Sequence, residues 1–209
     1  MLARALATWM GQNCRHHWPQ GRFGRRRMSK HHTDISKFLS FVLRHEPQAI
    51  GLTLDSEGWA ELDALIAGAR AHGTALDLEL IQAVVAGSDK KRFALSADGQ
   101  RIRAVQGHST PTVALQLEAR VPPEVLYHGT ATRFLEAIMA EGLRPGQRHH
   151  VHLSDNTQTA ASVGQRYGEP VVLQVDAGRM HRDGLRFFQA DNGVWLTAQV
   201  PAAFLTRPR

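Results

Sequence analysis

Apolar side chains recur at helical spacing in the first half of the chain. Four of them fall at positions i, i+3, i+4 and i+7 and predict the buried face of a helix: Ile35, Phe38, Leu39 and Val42. Thr33 or Asp34 is suited to begin this helix as an N-cap, and Pro47 to end it. Shorter patterns predict a second helix around Leu62, Leu65 and Ile66, and a third around Leu78, Ile81, Val84 and Val85 that ends at Gly87.

A strand-like pattern follows these helices. Residues 92–95 and 101–104 flank a turn at residues 97–100, which contains an Asp-Gly pair, and so predict a β-hairpin. Helices followed by a hairpin are typical of a winged-helix lobe, which we assign to residues 29–105. This is a common nucleic-acid scaffold, but a fold alone does not determine function.

The second half has short strand patterns and two helical ones. Strands are predicted at residues 126–128, 151–154, 171–175, 187–189 and 194–196, and helices at 134–141 and 157–167. Residues 106–123, which contain a glycine and three prolines, are expected to connect the two lobes. We therefore predict an α+β protein with a split β-sheet lobe over residues 124–209.

The positive charge is concentrated near the N-terminus. The 209 residues carry a formal net charge of +6, and residues 1–33 contain seven basic residues and no acidic one. The remainder has 18 basic and 19 acidic residues, so any nucleic-acid surface there must be local. Residues 1–28 are predicted to be a disordered basic head or a spurious extension upstream of Met28, with a targeting peptide as the alternative.

The sequence also indicates where in the cell the protein is found. No apolar stretch is long enough to span a membrane. The one cysteine, Cys14, precedes the predicted lobes, so we expect no disulfide within them, as is usual in a reducing cytosol. We expect a cytoplasmic, monomeric protein.

Histidines and hydroxyl residues occupy two of the predicted strands. Residues 127–130 (Tyr-His-Gly-Thr) have the pattern of a strand that runs into a glycine turn. Residues 151–154 have that of a strand with His152 and Ser154 on one face. Polar side chains at strand ends, with a glycine that lets a ligand approach the backbone, are suited to a nucleotide pocket.

A metal site is the alternative explanation of the closely spaced His149, His150 and His152. Zinc sites usually draw on well-separated pairs of ligands, and Cys14 is far away in the chain. We therefore expect no metal.

Six segments resemble those of the RNA 2'-phosphotransferase family, NAD-dependent enzymes that remove a 2'-phosphate from RNA, in eukaryotes from spliced tRNA. The segments are residues 43–45 (Leu-Arg-His), 89–93 (Asp-Lys-Lys-Arg-Phe), 106–109 (Gln-Gly-His-Ser), 127–130, 148–154 and 192–197 (Asn-Gly-Val-Trp-Leu-Thr). Each is a weak signal alone, but six in family order are specific. The resemblance implies that the first lobe binds RNA carrying a 2'-phosphate, and that the second has an ADP-ribosyltransferase-like fold and binds NAD as a co-substrate.

The resemblance also implies an Arg-His-Arg-Arg catalytic set, made of Arg44, His45, Arg92 and Arg148. From the residues alone, the better explanation of Arg44 and His45 is that they are cations at a helix C-terminus, and that of Arg92 is a solvated charge. Arginine keeps its charge and offers bidentate donors, which suits it to a phosphate dianion. Histidine alone among these residue types titrates near neutral pH, so His45 is the candidate proton shuttle.

The NAD site implied by the resemblance comprises His128, Gly129, Thr130, His152, Leu153, Ser154, Asn192, Gly193 and Val194. Val194 stands where many protein-modifying relatives have a glutamate. A phosphate nucleophile is already ionised and needs no general base, and a carboxylate beside it would repel it. The departure therefore fits an RNA phosphate as the acceptor.

The implied reaction has two steps. The 2'-phosphate first displaces nicotinamide from NAD, and transesterification then gives RNA with a 2'-hydroxyl and ADP-ribose 1'',2''-cyclic phosphate. An ADP-ribosyltransferase that caps terminal phosphates of RNA or DNA and stops after the first step is one alternative. A non-catalytic RNA-binding module is another.

Overall fold

The computed structural model describes residues 25–88 and 90–207, apart from the side chains of residues 25–29. The chain divides into two compact units. The first runs to Ala104 and also includes Thr110–Ala114, and the second consists of Val105–Ser109 and the chain from Leu115 onward. The predicted head lies outside the described residues over positions 1–24.

Three helices build most of the first unit: α1 (Arg25–Arg44), α2 (Leu62–Ala71) and α3 (Leu78–Ala86), with a 3-10 turn at Pro47–Ile50. The prediction that Thr33 or Asp34 caps α1 is wrong, because the helix begins at Arg25, within the segment assigned to the head. Arginine, lysine and methionine are good helix formers, so the helix extends upstream of its apolar face. In α3, the Asp77 carboxylate accepts a hydrogen bond from Leu80 N (2.8 Å), and the predicted end at Gly87 is confirmed.

A three-stranded antiparallel sheet completes the first unit. Its strands are β1 (Trp59–Glu61), β2 (Phe93–Leu95) and β3 (Arg101–Ala104), in the order β1-β3-β2. The hairpin of β2 and β3 confirms the prediction, but β1 was not predicted because it has no β-branched residue and no partner strand next to it in the sequence. The core of this unit includes the fully buried Phe38, Leu39, Val42, Leu43, Leu65, Ile81 and Ile102.

The second unit has two antiparallel three-stranded sheets. One, ordered β4-β6-β9, contains β4 (Val125–Ala131), β6 (Pro170–Asp176) and β9 (Leu205–Thr206). The other, ordered β5-β8-β7, contains β5 (Val151–Leu153), β7 (Phe187–Gln189) and β8 (Trp195–Thr197). A bridge between Tyr127 and Ser154 joins β4 to the end of β5.

The helices of the second unit are α4 (Leu135–Glu141), α5 (Thr157–Gly164) and α6 (Ala177–Arg182), with 3-10 turns at Thr132–Phe134, Gln165–Tyr167 and Ala202–Phe204. The predicted strands and both predicted helices are present. Helix α6 and strand β9 were not predicted. The α+β class is thus confirmed.

Gly129 lies inside β4, opposite Val172, and not in a turn as predicted. A Cβ atom at this position would collide with the backbone of Ala160 in α5. Gly164, at the end of α5, likewise faces the carbonyl of Thr130. A helix backbone packed directly on the strand thus explains why this position has no side chain, whereas the approach of a ligand to Gly129 stays a prediction.

None of the helices within the described ranges is both long and apolar enough to cross a membrane.

Candidate active site

The first unit brings together two of the predicted catalytic arginines, Arg44 and Arg92. Arg44 is the last residue of α1 and is 9% exposed, and Arg92 directly precedes β2. Arg44 Nη2 donates to the backbone oxygen of Arg92 (3.4 Å), and its guanidinium lies 5.9 Å from the centre of the Phe93 ring. His45 follows Arg44 immediately. The end of one helix and the start of one strand therefore place three of the four predicted residues close together.

The backbone before Arg92 is unusual. Lys91 has a φ of +38°, which makes it the one non-glycine residue with positive φ among those described. Its amide donates to the Ser88 carbonyl (2.9 Å), and Arg92 Nη1 donates to Ser88 Oγ (3.3 Å). Left-handed backbone is costly for residues other than glycine and often occurs at functional sites. This tight turn fixes the direction in which Arg92 leaves the loop.

In the second unit, His128 and His152 are joined through the backbone. His128 Nδ1 lies 3.1 Å from the His152 carbonyl oxygen. A carbonyl can only accept, so Nδ1 carries the proton and Nε2 of neutral His128 is an acceptor. Burial lowers the pKa of His128, and the bond to the His152 carbonyl partly opposes this. The two predicted histidine motifs are thus adjacent, as the Tyr127–Ser154 bridge also shows.

Arg148 lies on the exposed segment that leads into β5. Its Nη1 is 3.5 Å from His152 Nδ1, a long contact in which the guanidinium can only donate. The neighbouring His150 ring packs edge-on against Phe188, with 5.6 Å between ring centres. Burial and then the proximity of His149 lower the pKa of His150. Arg148 therefore lies beside the predicted NAD residues of its own unit.

The remaining predicted NAD residues have different surroundings. Leu153 points into the hydrophobic core with Val151 and Trp195, so its side chain is part of the packing. Thr130 is buried within β4, whereas Ser154 is partly exposed next to His152. Any part that Leu153 plays toward a ligand would come from its backbone.

A tight turn precedes β8 and holds the last three predicted residues. Gly193 has a φ of +82°, its amide donates to the Ala190 carbonyl (2.8 Å), and the Ala190 amide donates to the Val194 carbonyl (2.9 Å). The Val194 amide donates to Asn192 Oδ1 (3.4 Å). Val194 comes directly before Trp195, which pairs with Leu153.

Residues 25–88 and 90–207 contain no group of three or more His, Cys, Asp or Glu side chains that could hold a metal ion. Of the closely spaced histidines, His152 contacts Arg148 and His150 packs against Phe188.

Sequence reasoning missed Thr110. This residue belongs to the predicted connection, yet its Oγ1 donates to the Arg44 carbonyl (2.9 Å) across 66 positions of the chain. A single threonine in an irregular segment has no periodicity and no motif, so no local signal could have identified it.

The buried His128 predicts a pH effect on stability. A histidine whose pKa is lowered by folding takes up its proton more readily in the unfolded chain, so its contribution to stability is present above about pH 6.5 and is lost as the pH falls below that value. We expect the free energy of unfolding to decrease from about pH 7 to about pH 5. In His128→Gln this decrease should be smaller, as urea denaturation at several pH values would show. Equal slopes for both proteins would contradict the assignment.

The family model described as RNA 2'-phosphotransferase, Tpt1 / KptA family matches residues 30–199. The chain is similar to proteins named "Probable RNA 2'-phosphotransferase" from several bacteria. The one from Pseudomonas fluorescens is 66% identical over 172 residues, which cover 82% of this chain and 94% of the relative. That from Burkholderia lata is 63% identical over 173 residues (83% and 89%), and that from Pectobacterium carotovorum subsp. carotovorum is 58% identical over 174 residues (83% and 94%).

The match spans most of the chain, and it includes both units and every residue assigned above to the candidate site. The relatives are named as transferases acting on RNA, at identities far above those at which fold alone is shared. The chain is an enzyme and belongs to the RNA 2'-phosphotransferase, Tpt1 / KptA family.

Proposed function

We propose that this enzyme removes an internal 2'-phosphate from RNA and uses NAD as the co-substrate. The observation that carries the proposal is the placement of Arg44, His45 and Arg92 at one point of the first unit, in a chain that belongs to this family. Permanently charged guanidinium groups suit a phosphate dianion, and here the Arg44 guanidinium is bound to the backbone oxygen of Arg92, the residue that carries the second one. Arg148 is the fourth member of the proposed set.

In the first step, a 2'-phosphate oxygen of the RNA forms a bond to the anomeric carbon of the nicotinamide riboside. The bond from that carbon to the nicotinamide nitrogen breaks, and its electron pair neutralises the pyridinium as nicotinamide leaves. The product is RNA whose 2'-phosphate carries ADP-ribose. This step demands little of a general base because the phosphate is already ionised.

In the second step, the ribose 2''-hydroxyl attacks the same phosphorus. The bond from phosphorus to the RNA 2'-oxygen breaks, which releases ADP-ribose 1'',2''-cyclic phosphate. The 2''-hydroxyl loses a proton and the RNA 2'-oxygen gains one, so a proton shuttle is required, and we assign it to His45. Negative charge grows on the phosphorus oxygens in this step, where the arginines stabilise it.

We assign NAD binding to the second unit. Neutral His128, with its proton fixed on Nδ1, offers Nε2 as an acceptor for a ribose hydroxyl. Ser154, on the partly exposed face of β5 with His152, offers a hydroxyl that both donates and accepts. The turn of Asn192, Gly193 and Val194 contributes backbone groups.

We also infer the two fold families. Three helices with a β1-β3-β2 sheet support a winged-helix assignment for the first unit. Two small antiparallel sheets, bridged between β4 and β5, support an ADP-ribosyltransferase-like assignment for the second. Monomeric state and cytoplasmic location stay predictions.

One incubation tests the function. With NAD and an oligoribonucleotide carrying one internal 2'-phosphate, we expect conversion to RNA with a 2'-hydroxyl and release of one nicotinamide per phosphate removed. Omission of NAD should abolish the reaction. Chromatography of the nucleotide products and gel separation of the RNA would measure both.

The control substrate is the same oligonucleotide with a terminal phosphate in place of the 2'-phosphate. Stable ADP-ribosylation of that terminal phosphate, without turnover of the 2'-phosphate, would support the capping alternative. Loss of the 2'-phosphate without NAD would refute the proposed co-substrate.

A further inference from the structure

Helix α1 ends at Arg44, and the carbonyl of that residue lacks part of the usual helical bonding. The last carbonyls of a helix have no amide of a following turn to accept from. The residue three positions on is Pro47, which has no N–H. The amides of His45 and Glu46 both turn back to the Phe41 carbonyl (3.0 and 3.1 Å). The backbone that carries Arg44 and His45 therefore needs a partner from elsewhere in the chain.

Thr110 supplies that partner. Its hydroxyl donates to the Arg44 carbonyl at 2.9 Å, and Thr110 itself is 8% exposed. A hydrogen bond shielded from water is not exchanged for a solvent bond, and a buried carbonyl that loses its donor is costly. The bond fixes the backbone at the peptide group that joins Arg44 to His45, from which both side chains extend.

The segment that carries Thr110 is itself anchored. The chain leaves the first unit after Ala104 and returns to it for Thr110–Ala114 alone. The Ala114 amide donates to the Ser56 carbonyl (2.8 Å), and the Val113 side chain is 1% exposed. The far end of the segment that carries Thr110 is thus fastened to the first unit, which makes the segment a firmer support.

The Arg44 side chain is held separately, by the Arg92 carbonyl and the Phe93 ring. These contacts orient the guanidinium relative to Arg92, but they do not reach His45. A restraint on the backbone at residue 44, in contrast, acts on both Arg44 and His45.

We propose that Thr110 is a positioning residue of the enzyme: through its hydrogen bond to the Arg44 carbonyl, it aligns Arg44 and His45 for the reaction on the 2'-phosphate. The inference rests on the proposed function. Thr110 touches no reacting atom, so it acts on the geometry of Arg44 and His45. Small misplacements of catalytic groups can lower the rate by orders of magnitude.

The test compares Thr110→Val, which keeps the shape and removes the hydroxyl, with Thr110→Ser, which restores it. We expect Thr110→Val to lower kcat by about tenfold or more, with KM for NAD unchanged. The ADP-ribosylated RNA should accumulate, because His45 acts in the second step. Thr110→Ser should recover most of kcat. Circular dichroism and thermal melting check that each variant is folded at the assay temperature.

Thr197→Val is the matched control. Thr197 is 1% exposed, and its hydroxyl also donates to a backbone carbonyl, that of Arg186 (3.0 Å), which has no assigned role in the reaction. We expect this variant to lose stability while kcat is kept. If Thr110→Val keeps wild-type kcat, or if Thr197→Val loses as much, Thr110 is merely structural. Failure of the wild-type enzyme to turn over the 2'-phosphorylated RNA would instead refute the proposed function.

Discussion

Replacing Arg92 with alanine is expected to make the ADP-ribosylated RNA intermediate accumulate, because the second step should slow much more than the first. Attack on NAD requires the phosphate only to be in place, and the departing nicotinamide disperses positive charge. Transesterification concentrates negative charge on the phosphorus oxygens, so loss of a guanidinium should slow this step most. Such a contact contributes about 4 kcal/mol to the transition state, equivalent to a slowing of about a thousandfold.

The surroundings of Arg92 make this substitution specific. Arg44 binds the backbone oxygen of Arg92, which alanine retains, so the support of Arg44 should survive. The Arg92 side chain donates to Ser88 Oγ at the long distance of 3.3 Å and is partly exposed. Its truncation should therefore cost little stability.

Radiolabelled RNA with one 2'-phosphate, resolved on a denaturing gel, separates substrate, intermediate and product. Arg70→Ala, which removes an exposed arginine of α2 in the same unit, should behave as wild type. Arg92→Lys keeps the charge without the bidentate geometry and should fall between the two. If Arg92→Ala leaves only unreacted substrate, with no slower-migrating band, then Arg92 is needed for the first step as well.

The second large effect is expected on stability, from Gly129→Ala. The added methyl group would meet the backbone of Ala160, which cannot rotate away as a side chain could. Helix α5 would have to move off β4, and the close approach of Gly164 to Thr130 would open with it. Overpacking of this kind should lower the free energy of unfolding by about 3 kcal/mol.

Urea denaturation and thermal melting measure this loss. Gly146→Ala is the control, because Gly146 has a φ of +64° but open space where a Cβ atom would lie. It should cost only about 1 kcal/mol, for the left-handed backbone alone. A Gly129→Ala variant no less stable than Gly146→Ala would show that α5 shifts freely, and the packing argument would be wrong.

Much of the fold could be predicted because its signals are local. The apolar face of α1, the end of α3 and the β2–β3 hairpin each lie within a few consecutive residues, and all three are present. Strand β1 was missed because it has no β-branched residue and pairs with β3, 40 to 44 positions further along the chain, and the six-residue helix α6 is too short for its period to be recognised. The start of α1 was misplaced because a helix can continue through residues that tolerate it, whatever caps are available downstream.

The features of the candidate site likewise divide into those that the sequence could predict and those that it could not. Arg44 and His45 at a helix end, and His152 and Ser154 on one face of a strand, could be predicted from position alone. That Gly129 serves helix packing could not, because the glycine and Ala160 are far apart in the chain and meet only through the fold of β4 and α5.

By itself, the sequence determined which residues could do chemistry and which local elements carry them, because residue type and short-range periodicity can both be read from a short stretch of consecutive residues. Tertiary structure alone decided how those residues are held. The contacts of Arg44 with Arg92 and Thr110, and of His128 with the His152 carbonyl, join positions 24 to 66 residues apart. Such contacts form only when distant segments pack together, so they cannot be predicted from the pattern within one segment.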